Sequence, residues 1–210
     1  MALAGHKAYP LCDPCESRLM RIAEPRCVRC GKELISEELV CWECRQTSRL
    51  CSEVLPLFRY RGFAARLIRT YKSGKRFSLA PFWARLIAEE IRLRWPDRVV
   101  VPVPPRREKL VSGEMDQVEC IAGALEREGL RVERLLVRNS TIQQKKLTKL
   151  ERKANAISAY ALDPRRVRIP PPKVVLLDDV YTTGATLEAC AGALLAAGTV
   201  DVAAAVLAAD

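Results

Sequence analysis

Apolar and polar positions along the chain repeat with two different periods. Residues 80–95, APFWARLIAEEIRLRW, place Phe82, Trp83, Leu86, Ile87 and Ile91 at helical spacing with charges on the opposite face. Residues 114–128 read as a second helix, and residues 186–197 as a third that Gly198 closes. Between the helices lie short aliphatic runs: Arg98-Val-Val-Val-Pro-Val-Pro104, RVERLLV over 131–137, the run at 173–178 and VDVAAAVLAA at 200–209. Each has the length and the boundaries of a strand. Strands alternating with helices predict an α/β fold, a parallel sheet flanked by helices.

One of these strands has an unusual end. Val174 to Leu177 run straight into Asp178 and Asp179, and then into Thr182-Thr183-Gly184-Ala185-Thr186. In parallel α/β sheets ligands bind beyond the carboxyl ends of the strands. Small residues let the backbone approach an anion, and the free N–H groups at a helix start favour a phosphate. Two carboxylates beside such a cradle suit the vicinal hydroxyls of a sugar, directly or through magnesium. The combination predicts a site for a ribose 5-phosphate.

The cysteines define a second region. Seven of the nine fall between residues 12 and 51, six of them as C-x-x-C pairs. Cys27 and Cys30 are separated from Cys41 and Cys44 by ten residues, and Gly31 follows the first pair. That is the spacing of two knuckles of a zinc ribbon, which hold one tetrahedral ion between four thiolates. Cys12 and Cys15 lack obvious partners. They could be half of a second ribbon or share ions with a neighbour, with His6 and Cys51 as possible extra ligands. A module of residues 1–53 is too small to be held by apolar burial alone, so zinc is expected to supply its folding energy. Residues 54–210 form the α/β domain, with Cys120 and Cys190 in its core.

The net charge of +10 suits phosphate-bearing partners. Residues 57–77, LFRYRGFAARLIRTYKSGKRF, interleave aromatics with cations. This pattern predicts a surface for single-stranded DNA, with Tyr60, Arg61, Arg66, Arg69, Tyr71 and Lys72 as its contacts. No apolar run is long enough to enter a membrane, and MALAGHKAYPLC has no signal-peptide core. Unexported cysteines are mostly thiols or metal ligands, so a cytoplasmic protein is expected.

The stretch VVLLDDVYTTGATL resembles the phosphoribosyl pyrophosphate (PRPP) motif of the type I phosphoribosyltransferases. The wider pattern is similar to the ComF family of competence-associated proteins, with its GntX-type relatives. It comprises the cysteine pairs, Tyr60-Arg61-Gly62, Tyr71-Lys72, Val101-Pro102-Val103-Pro104, Gln144-x-x-Leu147, Arg152-x-x-Asn155 and the acid pair. The resemblance implies a type I phosphoribosyltransferase-like domain behind a zinc ribbon. It implies PRPP with magnesium on Asp178 and Asp179, and the 5-phosphate on Thr182, Thr183, Gly184, Ala185 and Thr186. The loop Val103, Pro104, Pro105, Arg106 and Arg107 would hold pyrophosphate, and the basic segment 140–156, with Gln144, Arg152 and Asn155, would be the flexible loop that closes. The phrase at Ser112-Gly113-Glu114-Met115-Asp116-Gln117 departs from the family's, keeping Gly and Gln but losing its arginine and aromatic. By resemblance the role is uptake of single-stranded DNA in natural transformation, with competence-machinery proteins as partners. An active phosphoribosyltransferase of nucleotide metabolism and a PRPP-sensing regulator stay open as alternatives.

Overall fold

The structure is a computed structural model that describes residues 11–35, 38–105, 107–138, 159–166 and 169–210. A short helix α1 (Asp13–Glu16) and α2 (Trp42–Gln46) belong to the cysteine-rich part. The remainder runs β1 (Glu53–Arg59), α3 (Gly62–Lys72), a 3-10 turn (Phe77–Leu79), α4 (Ala80–Arg94), β2 (Val99–Pro102), α5 (Arg107–Ser112) and α6 (Gln117–Arg127). It continues through β3 (Leu136–Arg138), β4 (Tyr160–Leu162), β5 (Lys173–Tyr181), α7 (Ala185–Ala196) and β6 (Asp201–Ala209).

Four strands form a parallel sheet in the order β1-β6-β5-β2. Parallel sheets need cover on both faces, and here alternate residues divide between two layers. Val175, Leu177, Ala203, Ala205 and Leu207 pack against α3, α4 and α6, around Trp83, Phe82 and Ile121. Val174, Leu176, Val202, Ala204 and Val206 pack against α7 and the cysteines. The rings of the first layer meet edge to face, with Phe82 and Trp83 centroids 4.9 Å apart and Phe58 and Trp83 6.2 Å apart, the arrangement their quadrupoles favour.

β1 lies at the edge of the sheet, where Pro56 is tolerated. The cysteine-rich part covers that edge. Ile22 donates its N–H to the Leu57 carbonyl (3.3 Å), Val54 donates to the Arg29 carbonyl (2.8 Å), and Arg21 bridges Phe58.

Two sequence expectations need correction. The run 131–137 is not one strand: Val132 makes a single parallel bridge to Val100, and Leu136–Arg138 then pairs antiparallel with Tyr160–Leu162. The break falls at Arg134, whose guanidinium is held by Glu119 and Glu126 of α6, each at 2.8 Å. The segment 57–77 is also not exposed along its whole length. Its first part is β1, and Leu57 and Phe58 are core residues.

Candidate functional site

The acid pair lies at the carboxyl edge of the sheet. The β2–β5 ladder ends at Pro102 and Leu177, while β5 remains paired to β6 as far as Tyr181 and Ala209. Asp178 and Asp179 therefore stand beyond β2 but within β5, which continues past the end of its aliphatic run. Strand alternation sends them to opposite faces.

Asp179 points into the α3/α6 layer and is buried. It accepts from Gln117 Nε2 at 2.8 Å and pairs with Lys72 Nζ at 2.8 Å. Gln117 in turn accepts from Lys109, and Lys109 pairs with Asp116, which caps α6 through the Val118 N–H at 2.8 Å. Asp178 is half-buried on the other face, near Tyr160 and Cys190, and accepts from the Asp179 N–H at 2.8 Å. Burial raises its carboxyl above the ordinary carboxylate range, and the neighbouring Asp179 charge pushes it further in the same direction.

The Thr182–Thr186 turn follows. Gly184 takes φ +79°, and the twelve residues of α7 start directly after it. A Cβ at Gly184 would lie 2.8 Å from the Tyr181 ring and 3.0 Å from an Arg49 nitrogen, so only glycine fits this close, left-handed position. Thr182, Thr183 and Ala185 are exposed; the Ala185 N–H donates to Thr183 Oγ1 at 3.4 Å, and the first amides of a helix have no intrahelical partner. Val103 donates its N–H to the Leu177 carbonyl at 2.9 Å, so the loop Val103, Pro104, Pro105 leaves the sheet alongside the acid pair. A cavity of about 550 Å³ opens beside this loop, lined by Pro104, Pro105, Arg134, Arg138 and Arg166 among others. Arg107 opens α5. Arg106 and the segment containing Gln144, Arg152 and Asn155 lie outside the described residues, as does His6.

The DNA-surface residues divide. Arg61, Arg66 and Arg69 are exposed on and before α3, and Tyr60 is half-buried. Tyr71 is fully buried, and its hydroxyl donates to the Gln117 carbonyl. A tyrosine in that position cannot stack on a base, which corrects the expectation for it. Lys72 is on the same helix but reaches Asp179, so it belongs to the acid site. Sequence reasoning missed Lys109, Asp116 and Gln117 as parts of that site. Asp116 and Gln117 fall within the departing phrase 112–117, and its retained Gln was the one signal that could have found them.

The four cysteines converge as their spacing predicts. The sulfurs of Cys27, Cys30, Cys41 and Cys44 all lie within 4.8 Å of one another. The Cys30–Cys41 separation of 3.7 Å matches the edge of about 3.8 Å in a tetrahedron with zinc–sulfur bonds near 2.3 Å. Cys41 donates its N–H to Cys27 Sγ at 3.3 Å. Burial alone would raise the Cys27 thiol, but the amides of Cys41, Cys30 and Arg29 outweigh it and hold it at about 7. The donor set fits a zinc ion. Cys12 and Cys15 are not among these ligands; in the described residues no third metal-ligating group joins them.

No family model matches the chain. Competence protein ComFC of Streptococcus pneumoniae is 26% identical over 197 residues, covering 91% of this chain and 84% of that protein. ComFC of Bacillus subtilis is 27% identical over 209 residues, with 90% and 79% covered. DNA utilization protein YhgH of Escherichia coli K12 is 27% identical over 208 residues, with 92% and 87% covered. Among solved structures, the allosteric regulatory enzyme of purine biosynthesis aligns with 61% of this chain and 26% of its own, at 17% identity and TM-score 0.41. That likeness is too loose to carry weight. No helix among the described residues is long and apolar enough to cross a membrane. The chain, with its four-cysteine centre and parallel α/β sheet, is thus similar over about nine-tenths of its length to the ComFC and YhgH proteins.

Proposed function

We propose that the chain binds PRPP with magnesium at the carboxyl edge of β5 and acts in the handling of DNA taken up by the cell. The observation that carries the first half is the juxtaposition of Asp178 and Asp179 with the glycine-started turn of α7. Asp178 and Asp179 would engage the ribose hydroxyls from the two sides of β5 at the sheet's carboxyl edge, directly or with magnesium. The Thr182–Thr186 turn would take the 5-phosphate, and the loop that begins with Val103, Pro104 and Pro105 would take the pyrophosphate. Gln117 and Lys72 hold Asp179 in place rather than touch the ligand. The second half rests on the names of the relatives, competence protein and DNA utilization protein. Exposed Arg61, Arg66 and Arg69 supply contacts to a nucleic-acid backbone, without base stacking from Tyr71.

Calorimetric titration of the zinc-loaded chain with PRPP and magnesium tests the binding. Saturable heat in the wild type, lost in Asp178→Asn with Asp179→Asn, is expected; no heat in the wild type would end the reading. An active phosphoribosyltransferase is favoured by one observation, a cavity of about 340 Å³ where the cysteine-rich part meets the carboxyl ends of β1 and β6, lined by Ile22, Lys32, Tyr60 and Asp210 among others. Pyrophosphate release on adding nitrogenous acceptors would select that reading.

A further inference from the structure

We propose that Lys109 is a positioning residue: it fixes the side-chain amide of Gln117 with its donor end towards Asp179, and so holds the loop after β2 and the second carboxylate of the acid pair as one unit. The arrangement serves whichever ligand the pair takes; that this ligand is PRPP rests on the reading above.

A primary amide has two ends of nearly equal size and opposite hydrogen-bonding sense, so packing alone cannot choose between them. At Gln117 the neighbours choose. Its Nε2 donates to Asp179 Oδ2 at 2.8 Å, and its Oε1 accepts from Lys109 Nζ. Turned over, the amide would set an oxygen against a carboxylate and an N–H against an ammonium, and both bonds would be lost. Gln117 is only 8% exposed, so water does not replace either partner. Its main chain is pinned separately, by the Tyr71 hydroxyl that donates to its carbonyl. What Lys109 sets is therefore the amide alone.

Lys109 is itself held in place. Its ammonium lies 3.1 Å from Asp116 Oδ2, while Asp116 Oδ1 accepts from the Val118 and Glu119 amides at 2.8 and 3.3 Å and caps α6. The two oxygens of one buried carboxylate thus do two separate jobs. Lys109 belongs to α5, which starts at Arg107, directly behind Val103, Pro104 and Pro105. From α5 to Asp179 the path is a hydrogen bond to Gln117 and a hydrogen bond from it. The other partner of Asp179, Lys72, comes from α3 with a side chain 44% exposed, so water competes for it. Gln117 has no such competitor, and the aim of Asp179 is set by Gln117 and, behind it, by Lys109.

The test uses the full zinc-loaded chain, isotope-labelled in the side-chain amides of its four glutamines and observed by NMR. The Gln117 signals are identified by their loss in Gln117→Leu. Lys109→Met keeps the length of the side chain without the ammonium, and Lys109→Arg restores a cation. In the wild type the Gln117 amide protons should exchange slowly with water. In Lys109→Met their signals should shift and exchange should be about tenfold faster, as the loss of one hydrogen bond to a charged group allows. The Val118 backbone amide, capped by the other oxygen of Asp116, should keep its protection. Lys109→Arg should recover the wild-type behaviour, and affinity for PRPP with magnesium should follow the same order. Gln117 signals and exchange that are unchanged in Lys109→Met overturn the proposal, even if PRPP binding weakens. Equal loss in both variants, or loss of the Val118 protection, overturns it too, because α5 would then support packing rather than set the amide. Loss in Lys109→Met with recovery in Lys109→Arg supports it, even if the wild type shows no PRPP heat; that result would remove only the proposed ligand.

Discussion

Lys72→Met and Asp179→Asn remove the two ends of one ion pair and should cost very different amounts. The 2.8 Å pair joins a side chain 44% exposed to one 6% exposed. Removing Lys72 strands the Asp179 carboxylate in the α3/α6 layer, with Gln117 still donating to it. Stranding a fully buried charge costs about 3–5 kcal/mol. With one hydrogen bond retained and the pair reaching solvent on the lysine side, the cost here should be about 2 kcal/mol. Removing the aspartate charge instead frees a lysine that can turn to water, and such a pair is worth roughly 0–1 kcal/mol. It also removes the like charge that pushes Asp178 upward, so Asp179→Asn should lie within about 1 kcal/mol of wild type. The double variant should match Asp179→Asn, because no charge remains to be stranded. Urea unfolding of the zinc-loaded chain measures all three, the midpoint moving while the slope stays constant. Equal costs for the two single variants, or a double variant equal to their sum, would refute the reasoning.

Tyr71→Phe removes a buried hydroxyl bonded to the Gln117 carbonyl and should cost about 1–2 kcal/mol of stability; anisotropy titrations should show unchanged affinity for single-stranded DNA. In the same titrations Arg66→Ala with Arg69→Ala should flatten the salt dependence, by about 0.7 in log–log slope for each phosphate that is no longer neutralised. Protein purified without added metal should hold one zinc per chain by elemental analysis, and Cys41→Ser with Cys44→Ser should hold none. A cation bound at Asp178 displaces the proton that its raised carboxyl retains in the folded chain. Magnesium-dependent PRPP affinity should therefore tighten as pH rises towards and through neutrality, with proton uptake by the buffer in calorimetry, and Asp178→Asn should abolish that dependence.

The parts most legible in the sequence were those where a short spacing dictates geometry. Two C-x-x-C pairs placed four sulfurs together, and an aliphatic run ending in two acids marked the carboxyl edge of β5. Helices 80–95 and 186–197 were readable from periodicity because each buries a defined apolar set. β1 was not readable, because Arg59, Arg61 and Arg66 interrupt its neighbourhood with charge while Leu55, Leu57 and Phe58 go inward. Tyr71 was misjudged for a related reason: a tyrosine between cations looks exposed unless the partner of its hydroxyl, 46 residues away, is known. The bonds that Lys72, Gln117 and Arg49 make to β5 and its turn depend on long-range packing that no local pattern encodes.

The split of the acid pair across the sheet has an evolutionary consequence. Asp178 and Asp179 are adjacent in sequence, yet one answers to α7, Tyr160 and Cys190 and the other to α3 and α6. Substitutions in either layer can adjust the basicity and aim of one carboxylate while the other keeps its setting. On the proposed reading of the pair, a lineage could drift in how it grips one hydroxyl of a sugar without losing the other, and the two grips need not change in step.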